Sequence, residues 1–83
     1  MPAKNTRGQS REIETSHHFI LVSYTTPVAI IEKATGKAYR TKRHWSVTTT
    51  RHINSWSRPT SFEEVQPEQE WFDNTLSYAT HIN

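Results

Sequence analysis

Two short, largely apolar runs constrain the fold of this chain more than any other feature. Residues 19 to 24 read F-I-L-V-S-Y and residues 28 to 33 read V-A-I-I-E-K. Both runs are rich in β-branched and aromatic side chains and have the length of strands. Pro27 lies between them and has no amide hydrogen for a central ladder, so we expect a bend, a bulge or a sheet edge there. The pattern predicts two neighbouring strands.

A turn that contains glycine extends this pattern. Residues 34 to 37 read A-T-G-K, which places Gly36 where a short hairpin loop needs a positive φ, and A-Y-R-T follows at residues 38 to 41. We therefore predict an antiparallel sheet of about three strands, built on residues 18 to 33 and 37 to 41.

A first helix is predicted near residues 49 to 57. The hydroxyls of V-T-T-T at residues 47 to 50 are suited to capping its first amides, and Ile53 and Trp56 recur three positions apart. The helix should end at Arg58, because a residue that precedes proline is disfavoured in helical geometry.

A second helix is predicted over residues 67 to 78, with Pro67 as its first residue and residues 62 to 65 extended before it. Phe72, Leu76 and Ala79 recur at i, i+4 and i+7 and would form an inward stripe, with Trp71 beside it. With the predicted sheet, this gives a small α+β domain with two short helices.

The start of the chain has little to bury. Residues 1 to 16 contain Ile13 as their only large aliphatic side chain after Met1, which is too little to offset the entropy cost of ordering the segment. We predict a mobile N-terminal arm at residues 1 to 16 and a single small domain at residues 17 to 83.

The amino-acid composition limits the class of protein to which this chain can belong. The chain has no cysteine, so a disulfide framework is excluded, and its longest apolar run, residues 19 to 22, is far shorter than the ~20 residues that cross a bilayer. No charged-then-apolar start indicates a signal peptide. We expect a soluble, intracellular protein with no membrane partner.

Charge is sorted along the chain. Between residues 32 and 58 the only acid is Glu32, whereas no Lys or Arg follows Arg58 and five acids do, within a net charge of +2. Such asymmetry indicates a binding surface rather than a catalyst.

Aromatic residues interleave with the cations, a mixture that nucleic-acid binders use, although ordinary surface cations explain it as well. The nucleic-acid candidates in the basic segment 33 to 58 are Lys37, Arg40, Lys42, Arg43, Arg51 and Arg58.

The histidines predict neither a metal site nor a catalytic centre. Their spacing does not match a metal-binding pattern, and no cysteine assists them; they are His17, His18, His44, His52 and His81. We expect His52 to pack or hydrogen-bond at the first helix. Ser23 or Ser46 beside a histidine is too common a combination to indicate a nucleophile and its base. We expect no enzyme, no catalytic residue, no metal and no cofactor.

The threonine-rich segment has two interpretations. Free amides at a helix start favour anions, so residues 48 to 50 with Arg51 and His52 could bind a phosphate. A plain N-cap explains the same threonines. For a protein partner, aromatic and arginine side chains are the usual anchors, and the candidates here are Trp45, Arg51, Trp56, Arg58 and Trp71.

Three segments carry a family resemblance. S-Y-T-T-P-V-A at residues 23 to 29, T-G-K-A-Y at residues 35 to 39 and W-S-V-T-T-T-R-H-I-N at residues 45 to 54 resemble small proteins encoded by tailed bacteriophages, over about residues 19 to 76. The resemblance implies a phage accessory protein made in the cytoplasm of the infected bacterial host. Small phage proteins often act by binding, so we expect a non-enzymatic protein that inhibits or redirects a host protein or a defence complex. Nucleic-acid binding remains the alternative, and a homo-oligomer stays open.

Overall fold

The computed structural model describes residues 10 to 82, with side chains described through residue 79. Neighbouring strands of its single sheet follow chain order, β1-β2-β3-β4, and every pair is antiparallel. The predicted α+β class is confirmed, with four strands instead of about three. The elements are β1 (Ser10–Glu14), β2 (His18–Ser23), β3 (Thr26–Glu32), β4 (Ala38–Arg40), α1 (Val47–Ser55) and α2 (Gln69–Ile82).

The additional strand, β1, lies within the segment predicted to be a mobile arm. Ile13 is opposite Ile20 of β2 and packs against the core. In the β1–β2 turn, the Thr15 amide donates to the His18 carbonyl at 2.8 Å, and the Thr15 hydroxyl accepts from the His18 amide at 3.0 Å. The arm prediction was wrong for these residues, because a strand that pairs with a neighbour gains its hydrogen bonds there and needs few apolar side chains. Residues 1 to 9 lie outside the described part of the chain.

The connection from β2 to β3 is a tight turn. β2 ends at Ser23, so Tyr24 is not part of the strand as predicted but lies in the turn, with φ at 60°. Left-handed backbone is uncommon for a bulky non-glycine residue and has a steric cost. Pro27 lies inside β3 opposite Val22 of β2, beyond the residues of β3 that pair with β4.

A bulge follows Pro27, as one of the predicted possibilities. The β2 residues Leu21 and Val22 are consecutive, yet their partners on β3 are Ala29 and Pro27. Val28 is therefore an extra residue, and it packs with Ala29 on the same side of the sheet, which strict alternation does not allow. The bulge thus gives the α1 side one more apolar side chain.

The predicted hairpin between β3 and β4 is confirmed. Gly36 has φ at 76°, and its amide donates to the Glu32 carbonyl at 2.7 Å. A Cβ at this position would meet no atom within 4 Å, so glycine is required here by backbone conformation and not by space.

Both helices differ from the predictions at their starts. Ser46 is the N-cap of α1, and its hydroxyl accepts from the Thr49 amide at 3.1 Å, so the cap is not one of the threonines. α1 ends at Ser55, ahead of the predicted end. α2 begins at Gln69, so Pro67 precedes the helix instead of opening it. The predicted stripe of α2 is confirmed, since its apolar residues pack against one core cluster.

The sheet is covered on both faces. On one face Phe72 of α2 packs with Ile20, Val22 and Ile30. On the other face Ile53 of α1 packs with the bulged segment of β3 and with Leu21, and Trp56 and Phe62 extend this cluster. Among the described residues, neither helix is long and apolar enough to cross a membrane.

Candidate functional site

The structure divides the five residues predicted to anchor a protein partner. Trp45 and Arg51 are exposed, whereas Trp56 and Trp71 are half-buried and Arg58 is bound to an acidic side chain. The first two are therefore free to meet a partner, and the other three have roles within the protein.

Trp56 and Arg58 both bind Glu12 of β1. Arg58 donates from Nε to Oε1 of Glu12 at 2.9 Å and from Nη2 to Oε2 at 2.8 Å, and the Trp56 indole donates to Oε1 at 2.7 Å. The hydrogen bond from Arg58 lowers the pKa of the Glu12 carboxyl, against the smaller opposing effect of burial. The Arg58 guanidinium also lies 4.0 Å from the Phe19 ring centroid. These contacts hold β1 to the segment after α1.

Trp71 is a core residue of the α2 side. Its ring lies edge-on to Tyr39, with centroids 5.5 Å apart, and edge-on to Phe72, with centroids 5.0 Å apart. Such T-shaped pairs add to the stabilisation from burial. Its role in the structure is packing between α2 and the sheet.

Trp45 is exposed but held in place. The Arg43 guanidinium lies over its ring at 4.1 Å from the centroid, and its indole N–H donates to Oε1 of Gln69 at 3.0 Å. Gln69 is fixed in turn, because the same oxygen accepts from the Thr41 hydroxyl at 2.8 Å and its Nε2 donates to the Pro27 carbonyl at 2.8 Å. Despite these contacts, Trp45 is 38% exposed. An aromatic surface is thus oriented before any partner arrives.

A recess of about 140 Å³ lies beside this tryptophan, and we call it the Trp45 recess. No acidic residue lines it, although the Lys42 ammonium on its rim is 3.0 Å from a carboxylate oxygen of Glu68. The recess is lined by Arg40, Thr41, Lys42, Arg43, His44, Trp45, Thr49, Thr50, Ile53 and Gln66.

The six cations predicted for nucleic acid do not share one environment. Lys42 is paired with Glu68 and Arg58 with Glu12. Arg40 is half-buried, with its guanidinium 5.6 Å from the centroid of the Phe62 ring. Lys37, Arg43 and Arg51 are exposed and make no ion pair with the described residues. The acidic end of the sequence therefore folds back onto part of the basic middle.

A buried polar network joins α1 to the end of β2. The Ser23 hydroxyl lies 3.0 Å from the Thr49 hydroxyl and 2.7 Å from Nδ1 of His52. These three residues are between 2% and 5% exposed. The Tyr24 ring lies 5.8 Å from the His52 ring. The expectation that His52 hydrogen-bonds at the first helix is confirmed, and its partner comes from the sheet.

The remaining histidines are scattered. Burial lowers the pKa of His18, which lies beside His17 with ring centroids 6.4 Å apart. His44 lines the Trp45 recess, and the side chain of His81 lies outside the described residues. No group of three or more histidine or acidic residues in the described part of the chain is arranged to hold a metal ion.

Sequence reasoning missed three residues that organise these sites. Glu12 stands in the segment predicted to be an arm, Gln69 lies in the predicted second helix without an assigned role, and Tyr24 was placed in the first strand run. A larger groove of about 540 Å³ between the β1–β2 turn and α2, lined by His17, Tyr78 and others, was also not predicted. The sequence offers no local signal for the roles of Glu12 and Gln69, because each depends on a distant segment.

Comparison with known proteins places the chain in a family. No curated protein and no solved structure matches the sequence. The model of one family, described as a family of unknown function (DUF8033), matches residues 2 to 74. This match covers most of the 83 residues, and the chain belongs to that family of unknown function, DUF8033.

Proposed function

We propose that this protein is a non-enzymatic bacteriophage accessory protein that binds a host protein and inhibits or redirects it, with the Trp45 recess as the contact surface. The sequence resemblance supports the phage setting. The observation that carries the binding surface is Trp45 itself, which stays 38% exposed while Arg43 and Gln69 fix its orientation. Tryptophan and arginine are the side chains on which interface energy concentrates, and a preformed surface loses less entropy on binding.

The charge of the recess indicates the chemistry of the partner. Arg40, Lys42 and Arg43 line it, and Glu68 neutralises only Lys42. A partner segment that presents a carboxylate next to an apolar side chain would complement the two remaining cations and the indole face.

The alternative, a nucleic-acid binder, is less well supported by this arrangement. Affinity for a phosphate backbone depends on many unpaired cations that displace counterions. Two of the six candidates, Lys42 and Arg58, already have carboxylate partners at 3.0 Å and 2.8 Å. A protein partner needs fewer free charges, so these ion pairs favour it over a nucleic acid.

Affinity capture from lysate of the bacterial host tests the proposal. The wild-type protein and Trp45→Ala are immobilised, and captured proteins are quantified by mass spectrometry. We expect a specific partner whose affinity for Trp45→Ala is lower by about 30-fold or more, because truncation of an interface anchor costs about 2 kcal/mol or more. Tyr78→Ala is the matched control, since Tyr78 is 68% exposed on α2 and does not line the recess.

Equal capture by wild type and Trp45→Ala, with both proteins folded by circular dichroism, would contradict the assignment of the recess. The nucleic-acid alternative has its own measurement, fluorescence anisotropy of labelled DNA and RNA at low and moderate salt. Tight binding that falls steeply with salt and is weakened in Arg40→Gln and Arg43→Gln would replace the proposal by that alternative.

A further inference from the structure

A second polar cleft, of about 420 Å³, lies along α1 outside the Trp45 recess. We call it the α1 cleft. Arg51 is exposed there and forms no ion pair with any described residue. No acidic side chain lines this cleft, whose lining residues are Thr48, Arg51, His52, Asn54 and Ser55.

His52 lines this cleft although the residue is almost fully buried. The residue is only 5% exposed, and its Nδ1 is 2.7 Å from the Ser23 hydroxyl. Nε2 has no hydrogen-bond partner among the described residues. Every fully buried polar side-chain atom in that part of the chain does have a partner. Nε2 is therefore not fully enclosed, and the cavity that His52 lines is the α1 cleft.

A chain of hydroxyls ends at the other ring nitrogen of His52, Nδ1. The Ser46 hydroxyl donates to the Thr49 hydroxyl at 3.3 Å, and Thr49 lies 3.0 Å from Ser23. A hydroxyl can accept two hydrogen bonds while it donates one, so this chain is compatible with a Ser23 hydroxyl that donates to Nδ1 of His52. With Ser23 as the donor, His52 carries a hydrogen on Nε2 and can offer an N–H donor beside Arg51, which lines the same cleft.

We propose that the α1 cleft binds an oxyanion, the shared chemistry of a phosphoryl group and a carboxylate. The Arg51 guanidinium supplies the charge, and Nε2–H of His52 with the hydroxyl of Thr48 and the amide of Asn54 supplies further donors. The N-cap Ser46 and the first helical residue Val47 do not line this cleft. The inference is independent of the function proposed for the Trp45 recess.

Nuclear magnetic resonance on the uniformly ¹⁵N-labelled full chain tests the inference. Long-range ¹H–¹⁵N spectra of the histidine rings report the tautomer of His52, and we expect the hydrogen on Nε2. Inorganic phosphate and sodium acetate are then titrated separately at constant ionic strength. We expect saturable shifts of the Arg51 Nε–H and His52 Nε2 signals, and the two titrations distinguish a phosphoryl site from a carboxylate site.

Matched variants show whether the cleft is responsible. In Arg51→Gln the affinity for the bound anion should fall about 10-fold or more, because the guanidinium is the only permanent charge lining the cleft. Arg11→Gln removes an exposed arginine of β1 that lines neither the α1 cleft nor the Trp45 recess, and it should bind as wild type does. Arg51 is exposed, so both variants should keep the wild-type amide spectrum.

Three outcomes would overturn the inference. They are a His52 hydrogen on Nδ1, shifts that stay linear with both anions, and equal affinity in wild type and Arg51→Gln. A second variant, Arg51→Lys, separates charge from geometry: we expect an affinity between those of wild type and Arg51→Gln, because lysine keeps the charge but loses the planar pair of donors.

Discussion

At the start of α1 one serine does what the neighbouring threonines were expected to do. Ser46 has extended backbone angles, and its hydroxyl accepts from the Thr49 amide at 3.1 Å, the geometry of an N-cap. Thr49 is free for another role, and its hydroxyl lies 3.0 Å from Ser23 of the sheet. The same short segment therefore caps a helix and ties it to β2.

The cap predicts the effect of a single substitution. Ser46→Ala should lower the free energy of unfolding by ~1 kcal/mol, because the Thr49 amide loses its acceptor. Urea unfolding followed by circular dichroism measures the change. Thr48→Ala is the control: Thr48 is exposed and caps nothing, so its stability should stay within about 0.5 kcal/mol of wild type. A larger loss in Thr48→Ala than in Ser46→Ala would show that the threonines cap the helix after all.

At the scale of elements, β1 is attached on two sides. Its backbone pairs with β2, and its Glu12 side chain accepts hydrogen bonds from Arg58 and Trp56. These two residues follow α1, so the ion pair joins the first strand of the sheet to the segment that leaves the first helix. A count of apolar side chains does not reveal this attachment, because backbone pairing and an ion pair hold the strand in place.

This ion pair predicts a dependence of stability on pH. The pKa of Glu12 is lower in the folded protein than its ordinary value near 4.5. The stabilisation is complete above the unfolded-state pKa and is lost as pH falls through the folded-state pKa. Between about pH 6 and about pH 3, the Tm of wild type should therefore fall further than that of Glu12→Gln.

Thermal unfolding of both proteins across this pH range, followed by circular dichroism, is the measurement. Glu64→Gln is the matched control, since Glu64 is exposed and forms no ion pair with the described residues, and its pH profile should follow that of wild type. Parallel profiles for wild type and Glu12→Gln would mean that the ion pair does not stabilise β1.

At the scale of the molecule, the sheet connects two cores. Phe72 packs on one face and Ile53 on the other, and consecutive strand residues such as Ile20 and Leu21 alternate between them. Neither core can lose its strands without exposing the other. In a domain this small, each core also supplies a large share of the total stability.

Unfolding should therefore be a single transition. We expect the urea curves from far-ultraviolet circular dichroism and from tryptophan fluorescence to superimpose, because Trp56 reports the α1 side and Trp71 the α2 side. Ile53→Val should shift both curves equally, at a cost of about 0.5 to 1.5 kcal/mol. Fluorescence that changes before circular dichroism would show that the two sides unfold separately.

Local chemistry made much of this fold predictable. The runs at residues 19 to 24 and 28 to 33, the turn glycine Gly36 and the stripe on α2 each record a requirement of one element: apolar side chains, a positive φ or one buried face. Periodicity and turn chemistry act within a few residues of the chain, so they can be recognised in the sequence. The α+β class follows from them.

What only the tertiary structure decided lies between segments far apart in the chain. β1 needed its neighbour and Arg58, which is 46 positions from Glu12, and His52 needed Ser23, 29 positions away. The sequence determined that aromatic and cationic side chains were available; folding determined that Trp56 and Trp71 were used for packing while Trp45 and Arg51 stayed exposed. The physical reason is that burial and pairing depend on distance in space, which local patterns of residues do not encode.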